Sequence, residues 1–163
     1  MKQPIELLQS LISIPSLSRE EKEAADLLQQ EMVSRGLSVQ RSGNNLWSAS
    51  PDFQSQRPTL LLNAHIDTVS PASGWHHNPF VPVVEGHRLY GLGSNDCGGG
   101  LVSLLETFCL LQQHPQSYNL IFLASAEEEV SGQNGISSVL KLLPHIDAAI
   151  VGEPTSLQPA VAE

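Results

Sequence analysis

Three short apolar runs constrain the fold of this chain more than any other feature of its sequence. Residues 59–64, 120–124 and 148–151 contain no charged side chain. Uninterrupted runs of this length are typical of strands that are covered on both faces, as in parallel sheets. Helical patterns separate the runs, so the sequence predicts an α/β fold in which a mainly parallel sheet is flanked by helices.

The spacing of apolar residues and the positions of Gly and Pro predict the remaining elements. Helices are predicted over 4–14, from a Ser18–Glu21 capping box to Gly36, over 101–112 and over 135–143. Further strands are predicted over 37–41 and 46–49, and a hairpin is predicted from 81–84 and 88–90. Pro15 and Gly36 are expected to end the first two helices.

The acidic balance of the chain argues against several classes of partner. Its 17 Asp and Glu face only 8 Lys and Arg, which gives a formal net charge of −9. Nucleic acids and anionic membranes call for a basic surface, so neither is expected to bind. A chain can also be acidic because it holds cations, and the positions of its carboxylates favour that interpretation.

The sequence offers no sign of a membrane or an oxidising compartment. It contains neither a signal-peptide core near its start nor an apolar run of membrane-spanning length. Its two cysteines, Cys97 and Cys109, form no CxxC pair. Reduced thiols and a cytoplasmic location are therefore predicted.

Polar residues follow each apolar run at the point where the predicted strand ends. They are His65 and Asp67 after the first run, Glu127, Glu128 and Glu129 after the second, and Glu153 after the third, while Asp96 lies in a glycine-rich turn. Ligands of open α/β sheets bind outside the carboxyl ends of the strands, so these side chains are expected at one edge. At strand spacing, Asp67 lies on the same face as His65 and can hold its imidazole.

Each of these motifs also has a purely structural interpretation. His65 and Asp67 can be a surface pair, the three glutamates a solvated face, Asp96 a turn residue, and residues 152–155 a turn that caps a helix. Their convergence favours a metal site, because carboxylates at this density repel one another unless cations neutralise them. With one histidine among oxygen ligands, zinc, cobalt or manganese is expected over calcium. Asp96 is the natural candidate to bridge two cations.

Four motifs lie in order along residues 60–156. They are His-Ile-Asp-Thr-Val at 65–69, Gly-Leu-Gly-Ser-Asn-Asp at 91–96, Glu-Glu-Glu at 127–129 and Gly-Glu-Pro-Thr at 152–155. Together they resemble the dinuclear zinc acylases and peptidases, the family of acetylornithine deacetylase, succinyl-diaminopimelate desuccinylase, aminoacylase and carboxypeptidase G. The resemblance implies a zinc-peptidase-like catalytic domain.

The resemblance also implies a role for each site residue. The metal ligands would be His65 and Glu153 on the first metal, Glu129 on the second, and Asp96 between them. Two divalent ions are the implied cofactors, with Zn²⁺ as the first choice and Co²⁺ or Mn²⁺ as alternatives. With Asp67, Glu127 and Glu128 included, six acidic residues would belong to one site, so two cations would offset much of the net charge.

Asp67 and Glu128 are the residues that the resemblance assigns to catalysis. Asp67 would orient His65, and Glu128 would be the general base for a water that bridges the two metals. Glu127 stands where the family usually has Asp. The family pattern further implies a cis peptide bond between Asp96 and Cys97. Cys97 is interpreted as a small residue beside the site, in preference to a thiolate ligand.

The function implied is a metal-dependent amidohydrolase that removes the N-acyl group from an amino acid. Acetylornithine deacetylase of arginine biosynthesis is the preferred model, with succinyl-diaminopimelate desuccinylase second and a dipeptidase or carboxypeptidase third. Two alternatives come from other classes of protein, namely a non-catalytic metal-binding domain and a calcium-binding structural domain.

Members of the family are longer than this chain. The resemblance implies a lid domain that carries a dimer interface, and a later part of the catalytic domain that supplies a histidine to the second metal. Neither is found in the sequence, so residues 1–163 are interpreted as the N-terminal part of the catalytic domain, truncated before the lid. By itself this part is expected to be inactive or nearly so, whereas the full-length protein is expected to be a homodimer.

Overall fold

A five-stranded sheet lies at the centre of the protein, in a computed structural model that describes residues 2–161. Its strands are β1 (Gln40–Ser42), β2 (Asn45–Ala49), β3 (Thr59–His65), β6 (Asn119–Ser125) and β7 (Ala148–Val151), in the spatial order β1-β2-β6-β3-β7. The two remaining strands, β4 (Val83–Glu85) and β5 (Arg88–Tyr90), form a separate hairpin.

The three apolar runs are the three parallel strands of the sheet. β3 lies between β6 and β7 and pairs with both in parallel register. β2 pairs with β6, and β1 with β2, in antiparallel register, so the sheet is mixed at one side. Every residue of β6 is buried, which is typical of a strand with layers packed on both faces. The structure thus confirms the α/β prediction.

Helices cover the two faces of the sheet unequally. The helices are α1 (Pro4–Ile12), α2 (Lys22–Ser34), α3 (Gly100–Leu111) and α4 (Ile136–Leu140). Side chains of α1, α2 and α3 pack in one cluster with Leu120, Phe122 and Ala124 of β6. The alternate residues of β6, Ile121 and Leu123, pack on the other face with Val139 of α4. The period of two along β6 therefore divides the core into two layers.

Short-range signals predicted the element boundaries less well than the elements themselves. The helix expected over 4–14 ends at Ile12, and the last helix is shorter than 135–143. The strands expected over 37–41 and 81–84 lie at Gln40–Ser42 and Val83–Glu85. These differences fall at element ends, where the chain leaves the packed sheet and local pattern is weakest.

The predicted Ser18–Glu21 capping box is wrong. α2 begins at Lys22, and no side chain caps its first turn. The Ser18 hydroxyl instead donates a hydrogen bond to Asp67 Oδ2 at 2.7 Å, far along the chain. The Glu21 Oε1 atom accepts from the main-chain N–H of Arg19. A tertiary acceptor thus replaces the local cap for which a Ser-x-x-Glu pattern is typical.

Two expectations about the whole chain can be compared with the structure. None of the helices within residues 2–161 is long and apolar enough to cross a membrane. Cys97 and Cys109 are both free thiols, as the sequence predicts.

We expect Phe122→Ala to lower the free energy of unfolding by about 3–5 kcal/mol, because it opens a cavity at the centre of the sheet. Phe122 is 0% exposed, and its ring packs 6.1 Å from that of Phe108. Denaturant unfolding followed by circular dichroism measures the change. Leu110→Ala is the control, since Leu110 is 59% exposed and should cost about 0.5 kcal/mol or less. Equal losses in the two variants would contradict this account of the core.

Candidate metal centre

The carboxyl ends of three parallel strands meet at one edge of the sheet. β3 ends at His65, which lies opposite Ser125 of β6, and β7 pairs with β3 up to Val151. Because the three strands end side by side, the chain segments that follow them enter the same space. Glu127–Glu129 follow β6 and Glu153 follows β7, so the sheet register brings these carboxylates to the end of β3.

The His65 imidazole is the centre of an acidic cluster. Its Nε2 atom lies 3.1 Å from Asp96 Oδ1, 3.9 Å from Glu128 Oε2 and 4.0 Å from Glu153 Oε2. Ligand atoms of His65, Asp96 and Glu129 also lie within 4.8 Å of one another. The imidazole is buried, whereas the Asp96 and Glu128 side chains are about half exposed. The structure therefore brings together the five side chains that the sequence predicts around the metals.

This donor set fits divalent cations. Burial raises the pKa of the Glu129 and Glu153 carboxyls above its ordinary value, and the negative charge of neighbouring Asp96 and Glu128 raises it further. Cations placed among these oxygens remove that repulsion. One imidazole among carboxylates is a donor set suited to zinc, cobalt or manganese.

Asp67 lies against the other ring nitrogen of His65. Nδ1 lies 2.8 Å from the main-chain oxygen of Asp67 and 3.6 Å from its Oδ1 atom. The main-chain carbonyl is therefore the nearer hydrogen-bond partner of Nδ1, and the Asp67 carboxylate lies beyond hydrogen-bond distance. An Nδ1–H that donates to this carbonyl leaves the Nε2 lone pair facing the acidic cluster, in the tautomer a metal ligand requires.

The surroundings of His65 favour its protonated form when no cation is bound. Burial by itself lowers the pKa of His65, but its contacts with Asp67 and Cys97 raise it to about 12. A histidine can ligate a metal only in its neutral form. A cation that binds at Nε2 must therefore displace a proton from His65.

The Asp67 carboxylate supports the chain segment that carries Glu128 and Glu129. It is 0% exposed, and it accepts hydrogen bonds from the Ser18 hydroxyl at 2.7 Å and from the main-chain N–H groups of Glu128 and Glu129 at 3.0 and 3.2 Å. Burial alone would raise the pKa of Asp67, but these donors and the nearby His65 lower it. Asp67, which follows β3, thus contacts His65 through its main-chain carbonyl and the segment after β6 through its carboxylate.

Glu127 does not face the cluster, although the sequence predicts it among the acidic residues of the site. It is buried, and its carboxylate accepts from the side-chain and main-chain N–H groups of Asn134, at 2.8 and 3.3 Å. Its backbone lies in the left-handed region, with φ of 54°. A Cβ atom at Gly132 would overlap the Glu127 carboxylate, so only glycine fits there. The three consecutive glutamates therefore divide into one buried support and two site residues.

The turn that carries Asp96 lies between β5 and α3. The Asp96–Cys97 peptide bond is cis, as the family resemblance implies. Cys97 is buried, and its Sγ atom lies 3.1 Å from the main-chain nitrogen and 3.2 Å from the main-chain oxygen of His65. Burial raises the pKa of the Cys97 thiol, which keeps it protonated at neutral pH. The side chain packs beneath His65 as a small neutral group.

A close contact between two glycines lets α3 begin beside the end of β7. A Cβ atom added to Gly100 would lie 2.7 Å from the Gly152 carbonyl oxygen, and one added to Gly152 would meet Gly100 at 3.3 Å. A side chain at Gly100 would overlap the main chain of Gly152. The contact brings the turn that carries Asp96 next to the residue that precedes Glu153.

Comparison with known proteins identifies the class to which this site belongs. The family model of peptidase family M20/M25/M40 matches residues 61–162, which include all four motifs. The chain therefore belongs to this peptidase family.

The relatives agree with this assignment. The succinyl-diaminopimelate desuccinylase of Delftia acidovorans is 31% identical over 175 aligned positions, which cover 97% of this chain and 45% of that protein. The M20 family metallo-carboxypeptidase Sso-CP2 of Sulfolobus solfataricus superimposes with a TM-score of 0.76 at 22% identity, over 93% of this chain and 37% of that one. The YXEP protein of Bacillus subtilis, a dinuclear metal-binding peptidase of the M20 family, superimposes with a TM-score of 0.69 at 19% identity, over 91% of this chain and 41% of that one. The two superpositions confirm the fold.

The chain spans less than half the length of the relatives it matches. More than half of each of these relatives has no counterpart among the 163 residues of this sequence.

We expect Asp67→Asn to weaken metal binding by about 10–100-fold. The N–H group of the amide would face the O–H and N–H groups that now donate hydrogen bonds to the carboxylate. Titration with Co²⁺, followed by visible absorption, measures the affinity. Asp52→Asn is the matched control, because Asp52 is exposed. Within residues 2–161 its one ion pair is with Arg57, at 3.1 Å. Unchanged affinity in Asp67→Asn would show that the segment keeps its position without this carboxylate.

We expect metal affinity to rise with pH between 6 and 8, by about tenfold per unit for each proton released. The sign follows from the raised pKa of His65, since the metal-free protein holds a proton there that binding must remove. Calorimetry in two buffers of different ionisation enthalpy counts the protons. His145→Asn is the control, because His145 is 87% exposed and distant from the cluster. Metal binding without proton release would contradict the protonated state of His65.

Proposed function

We propose that this protein is part of a dinuclear metal-dependent hydrolase that cleaves the amide bond of an N-acyl amino acid. The observation that carries the proposal is the imidazole of His65, whose Nε2 atom faces carboxylates from three other chain segments. Membership of peptidase family M20/M25/M40 agrees with it.

Four residues would hold the two cations. His65 and Glu153 are proposed as ligands of the first metal, Glu129 of the second, and Asp96 of both. Two divalent cations at such a site supply Lewis acidity, which polarises the amide carbonyl and lowers the pKa of water. Asp96 is suited to the bridging position because its carboxylate is 3.1 Å from His65 and also groups with Glu129.

Glu128 is proposed as the general base. Its carboxylate is 50% exposed and lies 3.9 Å from His65 Nε2. Among residues 2–161, no donor forms a hydrogen bond with it, so both oxygens can accept a proton from water. Its main-chain N–H is bonded to Asp67, which holds the carboxylate at the cluster. Glu128 would take the proton from the attacking water and return it to the leaving amine.

The acyl group of the substrate is the finer part of the proposal. The sequence motifs favoured N-acetylornithine, whereas the 31% identical relative from Delftia acidovorans is a succinyl-diaminopimelate desuccinylase. That likeness moves an N-succinyl amino acid to the first place among candidate substrates, ahead of N-acetylornithine. The solved structure of the Dug1p di-peptidase of Saccharomyces cerevisiae, at 19% identity and a TM-score of 0.72, supports the fold alone, so dipeptides remain third.

We also propose that residues 1–163 are the N-terminal part of a longer catalytic domain. Among the described residues, His65 is the only histidine in the metal cluster, and we assign it to the first metal. The second metal has Glu129 and Asp96 and needs a further ligand, such as a histidine from a later part of the protein. A lid domain and a homodimer formed through it belong to the same proposal.

We expect Glu128→Gln, in the complete gene product, to retain both metals and lose hydrolysis by a factor of about 10² or more, because the amide cannot accept the proton. Metal content is measured by elemental analysis. Activity is measured with N-succinyl-diaminopimelate, N-acetylornithine and a dipeptide panel.

Glu23→Gln is the matched control, because Glu23 is an exposed glutamate of α2 and the charge change is the same. Retained hydrolysis in Glu128→Gln would eliminate Glu128 as the base. A parent protein that binds metal but cleaves no amide in the panel would favour a non-catalytic metal-binding domain. Bound calcium without a transition metal would favour a structural calcium site.

A further inference from the structure

Three consecutive main-chain N–H groups at the metal cluster donate hydrogen bonds to buried carboxylates. The N–H of Glu127 donates to Glu21 Oε1 at 3.2 Å, and those of Glu128 and Glu129 donate to Asp67 at 3.0 and 3.2 Å. β6 ends at Ser125, so these three groups have no partner in the sheet. Asp67 accounts for two of them, and Glu21 accounts for the third.

Glu21 is an unusual residue in its own right. It is 0% exposed, and its hydrogen bonds come from the main-chain N–H of Arg19 at 2.6 Å, the side chain of Asn44 at 3.0 Å and the main-chain N–H of Glu127. No Lys or Arg side chain forms an ion pair with it among the residues that the structure describes. Buried carboxylates are costly unless they are paired or fully hydrogen-bonded, so neutral N–H donors alone satisfy this one.

The chain around Glu21 is joined to the site at a second point. The main-chain N–H of Thr68 donates to the Ser16 carbonyl at 2.9 Å, and that of Ser18 donates to the Thr68 carbonyl at 3.3 Å. The Ser18 hydroxyl donates to the Asp67 carboxylate. Residues 16–21, which we name the support segment, thus bring one donor to Asp67 and one acceptor to Glu127.

The position of Glu127 explains what the support segment accomplishes. Glu127 has a left-handed backbone, which turns the chain away from β6 directly before Glu128 and Glu129. Such a turn has no ladder of sheet hydrogen bonds to hold it, and its direction determines where the next two carboxylates lie. The Glu21 carboxylate bonds the amide at this turn, at 106 residues' separation in the chain.

We propose that Glu21 is a positioning residue of the metal centre. It acts through the main chain of Glu127 and touches none of the ligands, and with Asp67 it fixes the direction in which Glu128 and Glu129 leave β6. This inference rests on the proposed function, since it assumes that Glu129 ligates a metal. It adds a residue from the N-terminal segment to a site otherwise built from the four sequence motifs.

Glu21→Gln tests the proposal, because it keeps the shape of the side chain but removes the charge and one acceptor. Glu31→Gln is the matched control. Glu31 is also a buried glutamate at α2, and its carboxylate accepts from Arg35 Nε and the main-chain N–H of Lys2, both at 2.9 Å. If Glu21→Gln fails to fold by circular dichroism, Glu21→Asp replaces it, because Asp retains the charge but withdraws the carboxylate by one methylene.

The first measurement is amide hydrogen exchange in the metal-free complete protein. We expect exchange at Glu127–Glu129 to be about tenfold faster in Glu21→Gln, since a hydrogen bond to a charged acceptor contributes roughly one to two powers of ten to protection. In Glu31→Gln these amides should keep the parent rate.

The second measurement is a Co²⁺ titration followed by visible absorption. We expect the affinity of the site that depends on Glu129 to fall by about tenfold or more in Glu21→Gln, with a changed absorption spectrum at saturation, and to stay within about twofold in Glu31→Gln. A general loss of stability would not change the spectrum of the saturated site.

The outcomes separate this inference from the proposed function. If the parent has no Co²⁺ site that is lost in Glu129→Gln, the proposed function fails and the inference fails with it. If the parent binds Co²⁺ and Glu21→Gln matches the parent or Glu31→Gln in affinity and spectrum, only the inference is overturned. Faster exchange with an unchanged cobalt site overturns it as well, because Glu21 would then stabilise the fold without positioning the ligands.

Discussion

The parallel pairing of β3 with both β6 and β7 is the constraint on which the rest of the structure depends. Parallel strands end at the same edge of a sheet, so the residues after β3, β6 and β7 meet regardless of their distance in the chain. The register places His65 beside Ser125 and brings the end of β7 within reach. A shift of one residue in either pairing would turn the alternating side chains to the opposite face and separate the cluster.

The site combines two ways of accommodating negative charge. The carboxylates of Asp96, Glu128, Glu129 and Glu153 share a partly exposed space around one imidazole, where only a cation can balance them. Beneath them, Glu21 and Asp67 are buried and are balanced by N–H groups. The two layers are joined at Asp67, because two of the N–H groups that it accepts belong to Glu128 and Glu129, which carry the exposed carboxylates.

Local sequence patterns predicted the central features of the fold and the residues of the cluster. Continuous apolar runs identified the three parallel strands. β3 and β6 are buried, as such runs predict, whereas β7 lies at the edge of the sheet and is exposed. The motifs identified His65, Asp96, Glu128, Glu129 and Glu153, and the structure brings them together. The patterns failed where a side chain forms its hydrogen bond with a distant residue instead of a local one. Ser18 matches the pattern of a helix cap, but its hydroxyl donates to the buried carboxylate of Asp67, which follows β3.

The sequence by itself determined which chemical groups this protein has and in which order the chain delivers them to the sheet edge. Only the tertiary structure decided how neighbouring residues divide their tasks. Glu127 and Glu128 are identical in type and adjacent in sequence, yet one is buried against Asn134 and the other faces His65. The difference arises from a left-handed backbone at Glu127, held by Glu21 from a distant part of the chain. A contact of that range leaves no local pattern from which it could be predicted.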